Sequence, residues 1–104
     1  MSKARERSSI MPYVLVQHVV SDYARFKPLF DDDGRRRRLH GCKGGRLLCS
    51  VDNPHEYMAL FEWDDVEKAR GFAASFEQGE ALEWAGMIGP SKATVLEEVE
   101  AVGA

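Results

Sequence analysis

The chain reads as an α+β domain with element order β-α-β-β-α-β, the ferredoxin-like split βαβ arrangement. Three observations carry that reading. Tyr13 to Val20 and Tyr57 to Trp63 are strand-like, with large apolar side chains at both parities. Two stretches with apolar residues at helical spacing follow them, and clusters of turn residues separate the pieces. A length of 104 residues allows one core and not two. Because both parities of the strands are apolar, one sheet face belongs under the helices and the other needs a cover. A second copy of the chain is the expected cover, so a homodimer is expected.

Residues 1–11 are charged and polar with no apolar core, so they read as a disordered lead and not as a secretory signal. Pro12 then opens the first strand, which is Val-rich through Val19 or Val20. Ser21 and Asp22 are cap residues, and Tyr23, Phe26, Leu29 and Phe30 recur at helical spacing after them. Pro28 should kink or restart this helix, because a proline in a helix interior removes a backbone donor. The helix should continue through the charged block and stop at Gly41, a suitable C′ residue. In that block Asp31, Asp32 and Asp33 stand four residues before Arg35, Arg36 and Arg37, a spacing that predicts paired charges on a solvated face.

The glycines of GCKGG, residues 41–45, predict a turn, and Arg46 to Val51 a second strand. Asp52-Asn53-Pro54 is a turn, so residues 46–63 should form a hairpin that ends with the strand Tyr57 to Trp63. Asp64 and Glu67 form a capping box that opens a helix with an apolar stripe of Val66, Ala69, Phe72 and Ala73. Ser75 with Gln78 suggests a second box, hence a break and a fresh helical piece to Ala85. Gly86 and Gly89-Pro90 should end it, and Lys92 to Val99 or Glu100 should be the last strand. Residues 12–100 are thus one domain and 101–104 a frayed tail.

Composition excludes several function classes. The net charge of −3 disfavours a binder that neutralises phosphates, so no nucleic-acid partner is expected. No apolar run is long enough to span a bilayer, so no membrane partner is expected. Cys42 and Cys49 make neither a CxxC pair nor a disulfide framework, which fits reduced thiols and a cytoplasmic setting. The three histidines form no metal motif, and GGR at residues 44–46 does not open a helix after a strand. No metal and no cofactor are expected.

QHVVSDYARFKPLFD from Gln17 to Asp31, then Arg37, residues 41–45, DNPHEYMALFEWDDVEKARGFAAS from Asp52 to Ser75, Ala85-Gly86-Met87 and the C-terminal LEEVE together resemble one family. The chain is similar to the small dimeric α/β-barrel proteins related to the antibiotic biosynthesis monooxygenase group, over roughly residues 13 to 100. The resemblance implies a homodimer whose two sheets pack into a dimeric α/β barrel, with ligands held between each sheet and its helices. It also implies that members acting on polyketide-like aromatics do so without metal or flavin.

Several residues could carry chemistry in such a protein. His18 shares parity with Val14 and Val16, so it interrupts an apolar face, either as a general base or as a bonded core histidine. Glu62 is placed to share a face with it and set the imidazole tautomer, or else to sit solvated at a strand end. Arg37 is the arginine that matches the resembling pattern, suited to a substrate carboxylate or phenolate, with a helix-face ion pair as its plainer role. Tyr23, Phe26 and Phe30 would wall the ligand site or fill the core, and Trp84 and Met87 would close one end of it. Two functions therefore stand: a hydrophobic or aromatic small-molecule binder, and a cofactor-independent monooxygenase on an aromatic, polyketide-like substrate.

Overall fold

The computed structural model describes residues 11–78 and 87–104. The expectations for residues 1–10, for a helical piece from 79 to Ala85 and for Trp84 fall outside that range. The elements are β1 (Pro12–Val20), α1 (Tyr23–Asp32), α2 (Gly34–Leu39), β2 (Cys42–Cys49), β3 (Glu56–Trp63), α3 (Val66–Gln78) and β4 (Met87–Glu97). Taking α1 and α2 as two pieces of one helical segment, this is the ferredoxin-like order. The four strands form one antiparallel sheet in the order β2-β3-β1-β4.

The expected barrel is overturned. Among the described residues the outer edges of β2 and β4 pair with no strand, so the sheet is open and does not curl on itself. Four strands are too few to close around a core, and closed barrels of this kind need about eight.

Burial alternates strictly along β1, with Val14, Val16, His18 and Val20 buried and Tyr13, Leu15, Gln17 and Val19 half-buried. The register sets Val14 opposite Phe61 and Val16 opposite Ala59, so Ala59, Phe61 and Trp63 share that buried face. Phe26 of α1 and Ala69, Ala73 and Phe76 of α3 pack onto it. Leu15, Met58 and Leu60 lie on the other face, which no described helix covers.

The helical segment breaks at Asp33-Gly34 and not at Pro28. Pro28 lies on the exposed side of α1, where water can satisfy the carbonyl freed by its missing N–H. Asp33 instead holds a shallow turn, donating its N–H to the Leu29 carbonyl at 3.1 Å, and the weak helix former Gly34 follows. Asp22 caps α1, its carboxylate accepting from the Arg25 N–H at 3.3 Å.

Of the three glycines predicted as a turn, Gly41 does stand in a turn before β2, whereas Gly44 and Gly45 lie inside the strand. The strand bulges at Lys43, between Cys42 opposite Trp63 and Gly44 opposite Glu62. Gly44 has φ +113°, and a Cβ on Gly45 would run into the Leu60 carbonyl oxygen, so the bulge requires glycine. Asp65, not Asp64, caps α3, accepting from the Lys68 N–H at 3.0 Å. Ser75 does not break α3, which continues through Gln78. β4 starts at Met87, so Gly89-Pro90 belongs to the strand and does not terminate a helix.

Candidate functional site

His18 stands in the middle of the sheet and is 3% exposed. Its ring lies 5.1 Å from the Phe26 ring and 5.9 Å from the Phe76 ring. Neither ring nitrogen has a hydrogen-bond partner among the described residues. Burial alone pushes its pKa down to about 4, so the imidazole is neutral at pH 7. Opposite it the β1–β4 register slips: Gln17 pairs with Lys92 and Val19 with Ile88, so Gly89, Pro90 and Ser91 face the single residue His18. Such irregularities re-aim strands beside functional sites, and this one follows from a Gly-Pro pair with no donor at the proline.

Arg37 reaches the same place from α2. Its side chain is 10% exposed, and its guanidinium carbon lies 4.4 Å from the Phe30 ring centroid and 4.8 Å from that of Phe61. It donates to the Phe30 carbonyl at 3.1 Å and to the Asp33 carboxylate at 3.3 Å. Burial lowers the Arg37 pKa from its ordinary value, and the nearby Asp33 charge works against that. Of the three predicted acid–base pairs across the block, the one that forms is Asp33–Arg37. Asp33 also takes Arg36 at 2.8 Å, while Asp31 turns back to Lys27.

His18 and Arg37 line one cavity, with Phe26 and Phe30 from α1, Phe61 from β3, and Phe72 and Phe76 from α3. The space open to the centre of a water molecule is about 20 Å³, room for one water. A second, larger cleft of about 360 Å³ adjoins it between α2 and α3. Arg37 and Phe72 line both spaces, so these two side chains form the wall between them. A third cleft of about 320 Å³, on the side of α1 and β2, also ends at Arg37.

The structure separates Glu62 from this group. Glu62 pairs with Tyr13, at the far end of β1 from His18, and has the opposite parity to Phe61 and Trp63. It therefore lies on the uncovered face and does not share a face with His18. The residue opposite His18 on β3 is Tyr57. Phe26 and Phe30 line the cavity as the aromatic stripe suggests, but Tyr23 does not; it is 43% exposed and stacks on Tyr57 at 5.3 Å. Met87 pairs with Val20 at the start of β4, and Trp84 is outside the described residues. Phe72 and Phe76 belong to the stripe Ala69, Phe72, Ala73, Phe76, which is regular at helical spacing. Reading a break at Ser75 hides Phe76. Among the described residues no group of three or more His, Cys, Asp or Glu could hold a metal ion, and no helix is long and apolar enough to cross a membrane.

No family model and no curated protein matches the chain. Solved structures do. A candidate antibiotic biosynthesis monooxygenase from Deinococcus radiodurans superposes with a TM-score of 0.66 at 17% identity, over 90% of this chain and 98% of that one. One from Caulobacter crescentus CB15 gives 0.65 at 21% identity, over 88% and 92%. A dimeric ferredoxin-like protein from an uncultured marine organism gives 0.58 at 10% identity, over 96% and 97%. At these identities the likeness shows the fold.

Proposed function

We propose that the chain binds an aromatic small molecule between its sheet and helices and oxygenates it without a cofactor. The observation that carries this is His18, a neutral, buried imidazole with neither nitrogen bonded among the described residues, in an aromatic-walled cavity shared with a guanidinium. Leaving a buried polar group unbonded costs about 1–3 kcal/mol; the core residue Trp63 carries the same cost at Nε1, so what sets His18 apart is the aromatic-walled cavity it shares with Arg37. The names of the Deinococcus and Caulobacter proteins support the same chemistry.

The reaction suits an anthrone-like substrate with an acidic CH₂ beside a carbonyl. His18 takes a proton from that carbon, and Arg37 stabilises the enolate oxygen. The enolate passes an electron to O₂, and the two radicals combine into a peroxide. The imidazolium returns its proton as the peroxide loses water, leaving a carbonyl: CH₂ and O₂ become C=O and H₂O. A ring needs an apolar cavity of about 150 Å³, so it occupies the 360 Å³ cleft, with Arg37 and Phe72 moving aside to join that cleft to His18. Side-chain shifts of this kind are common on binding.

The uncovered sheet face supports a homodimer. It carries Leu15, Met58 and Leu60, with Leu48 and Leu96 46% and 40% exposed at its margins. The marine relative is described as dimeric. The catalytic reading is tested with an oxygen electrode and 1,8-dihydroxyanthrone. Oxidation well above the spontaneous rate, with one O₂ consumed per anthraquinone and no peroxide released, supports it. A rate equal to the protein-free control leaves a ligand-binding protein only.

A further inference from the structure

The cleft between α2 and α3 is lined by Arg36, Arg37, His40 and Lys68 together with Phe72 and Ser75, and no carboxylate is among its described lining residues. The nearest acids do not balance it. Asp33 serves both guanidiniums, at 2.8 Å from Arg36 Nε and 3.3 Å from Arg37 Nη1, and Asp64 stands 3.7 Å from Lys68. Among the described residues three fixed positive charges thus meet two negative ones that lie outside the cleft wall. His40 donates its Nδ1 hydrogen to the Arg36 carbonyl at 2.8 Å, which turns Nε2 away from the backbone. Phe72 is half-buried and supplies an apolar side, 5.0 Å from the Trp63 ring behind it.

We infer that this cleft is an anion site for an aromatic carboxylic acid: the carboxylate rests among Arg36, Arg37 and Lys68, and the ring lies against Phe72. Basic side chains alone fit any anion. The aromatic wall and a volume of about 360 Å³, which holds a fused ring system, select a planar organic acid over a bare oxyanion. The inference deepens the reading above by naming the substrate class at the same arginine. A carboxylate that draws the Arg37 guanidinium outward takes it off Phe30 and Phe61, which opens the wall in front of His18.

The test is calorimetric titration of the intact chain at pH 7.5 and low salt with 2-naphthoate, 2-naphthamide and inorganic phosphate. Naphthoate is expected to bind roughly tenfold tighter than either other probe, and to weaken as salt is added. The double variant Arg36→Gln with Lys68→Gln should weaken naphthoate by about fivefold or more, while Arg70→Gln, which removes one charge from α3 outside the cleft, stays within about twofold. Naphthamide binding as tightly as naphthoate overturns the anion site, and phosphate binding as tightly overturns the aromatic acid. If the double variant fails to fold, the three-probe comparison on the unaltered protein still decides. Oxygen plays no part in the titration. A chain that oxidises an anthrone but ignores naphthoate loses this inference and keeps the oxygenase reading.

Discussion

His18 is neutral because burial disfavours a charged imidazole, and that has a measurable consequence for stability. Its pKa falls from 6.5 to about 4 on folding, so the unfolded chain holds the extra proton between those values. Its contribution is fully present above pH 6.5 and is lost as pH falls toward 4, up to about 3 kcal/mol in all. Urea midpoints measured at pH 7.5 and 4.5 should differ more for the natural chain than for His18→Leu, the difference isolating this residue from the carboxylates. Equal differences would show that His18 is bonded or solvated after all. Arg37 behaves otherwise. Its partner Asp33 keeps Arg36 if Arg37 is removed, so no carboxylate is orphaned. Arg37→Ala should cost only about 1–2 kcal/mol, from the lost ring contacts and packing, while reducing naphthoate affinity. A loss near 4 kcal/mol by denaturant titration would mean that the arginine is structural first.

The elements show where a sequence can be read and where it misleads. β1, β3 and α3 followed from alternation and helical spacing, because each buries one regular face. The same alternation placed His18 on the face that proves to lie under the helices. It misplaced Glu62, because parity relates faces only once the register is known, and a one-residue offset reverses the answer. Gly44, Gly45 and the Gly89-Pro90 pair misled for one shared reason: such residues mark irregular backbone, and here that backbone lies inside strands. The β2 bulge uses Gly44 and Gly45, and the β4 slip contains Gly89-Pro90. Two glycines give opposite predictions. Gly45→Ala should destabilise by about 2 kcal/mol or more, since its new methyl meets backbone that cannot turn away. Gly71→Ala, in α3 with no atom within 4 Å of the added methyl, should stabilise by roughly 0.5–1 kcal/mol. Thermal midpoints moving the same way for both would contradict the placement of β2 against β3.

At the scale of the whole molecule, the apolar character of both strand parities was legible as a face under the helices and a second apolar face, but not as a shape. The helices cover one face; the sheet stays open, and closure into a barrel does not occur. The uncovered face predicts self-association. Leu60→Glu, which sets a charge in the middle of that face, should shift sedimentation toward the 11.7 kDa monomer while leaving the far-UV spectrum unchanged. An unaltered distribution of species would mean that copies meet elsewhere or not at all. The other face holds the functional claim, and most of its wall was visible in the sequence as scattered aromatics whose convergence only the fold reveals. The most direct measurement is anthrone oxidation by His18→Leu. That chain should be at least as stable as the natural one, because a polar group with no partner among the described residues has been replaced by an apolar one, and its rate should fall to the spontaneous background. A variant that oxidises anthrone as fast as the natural chain would contradict the account.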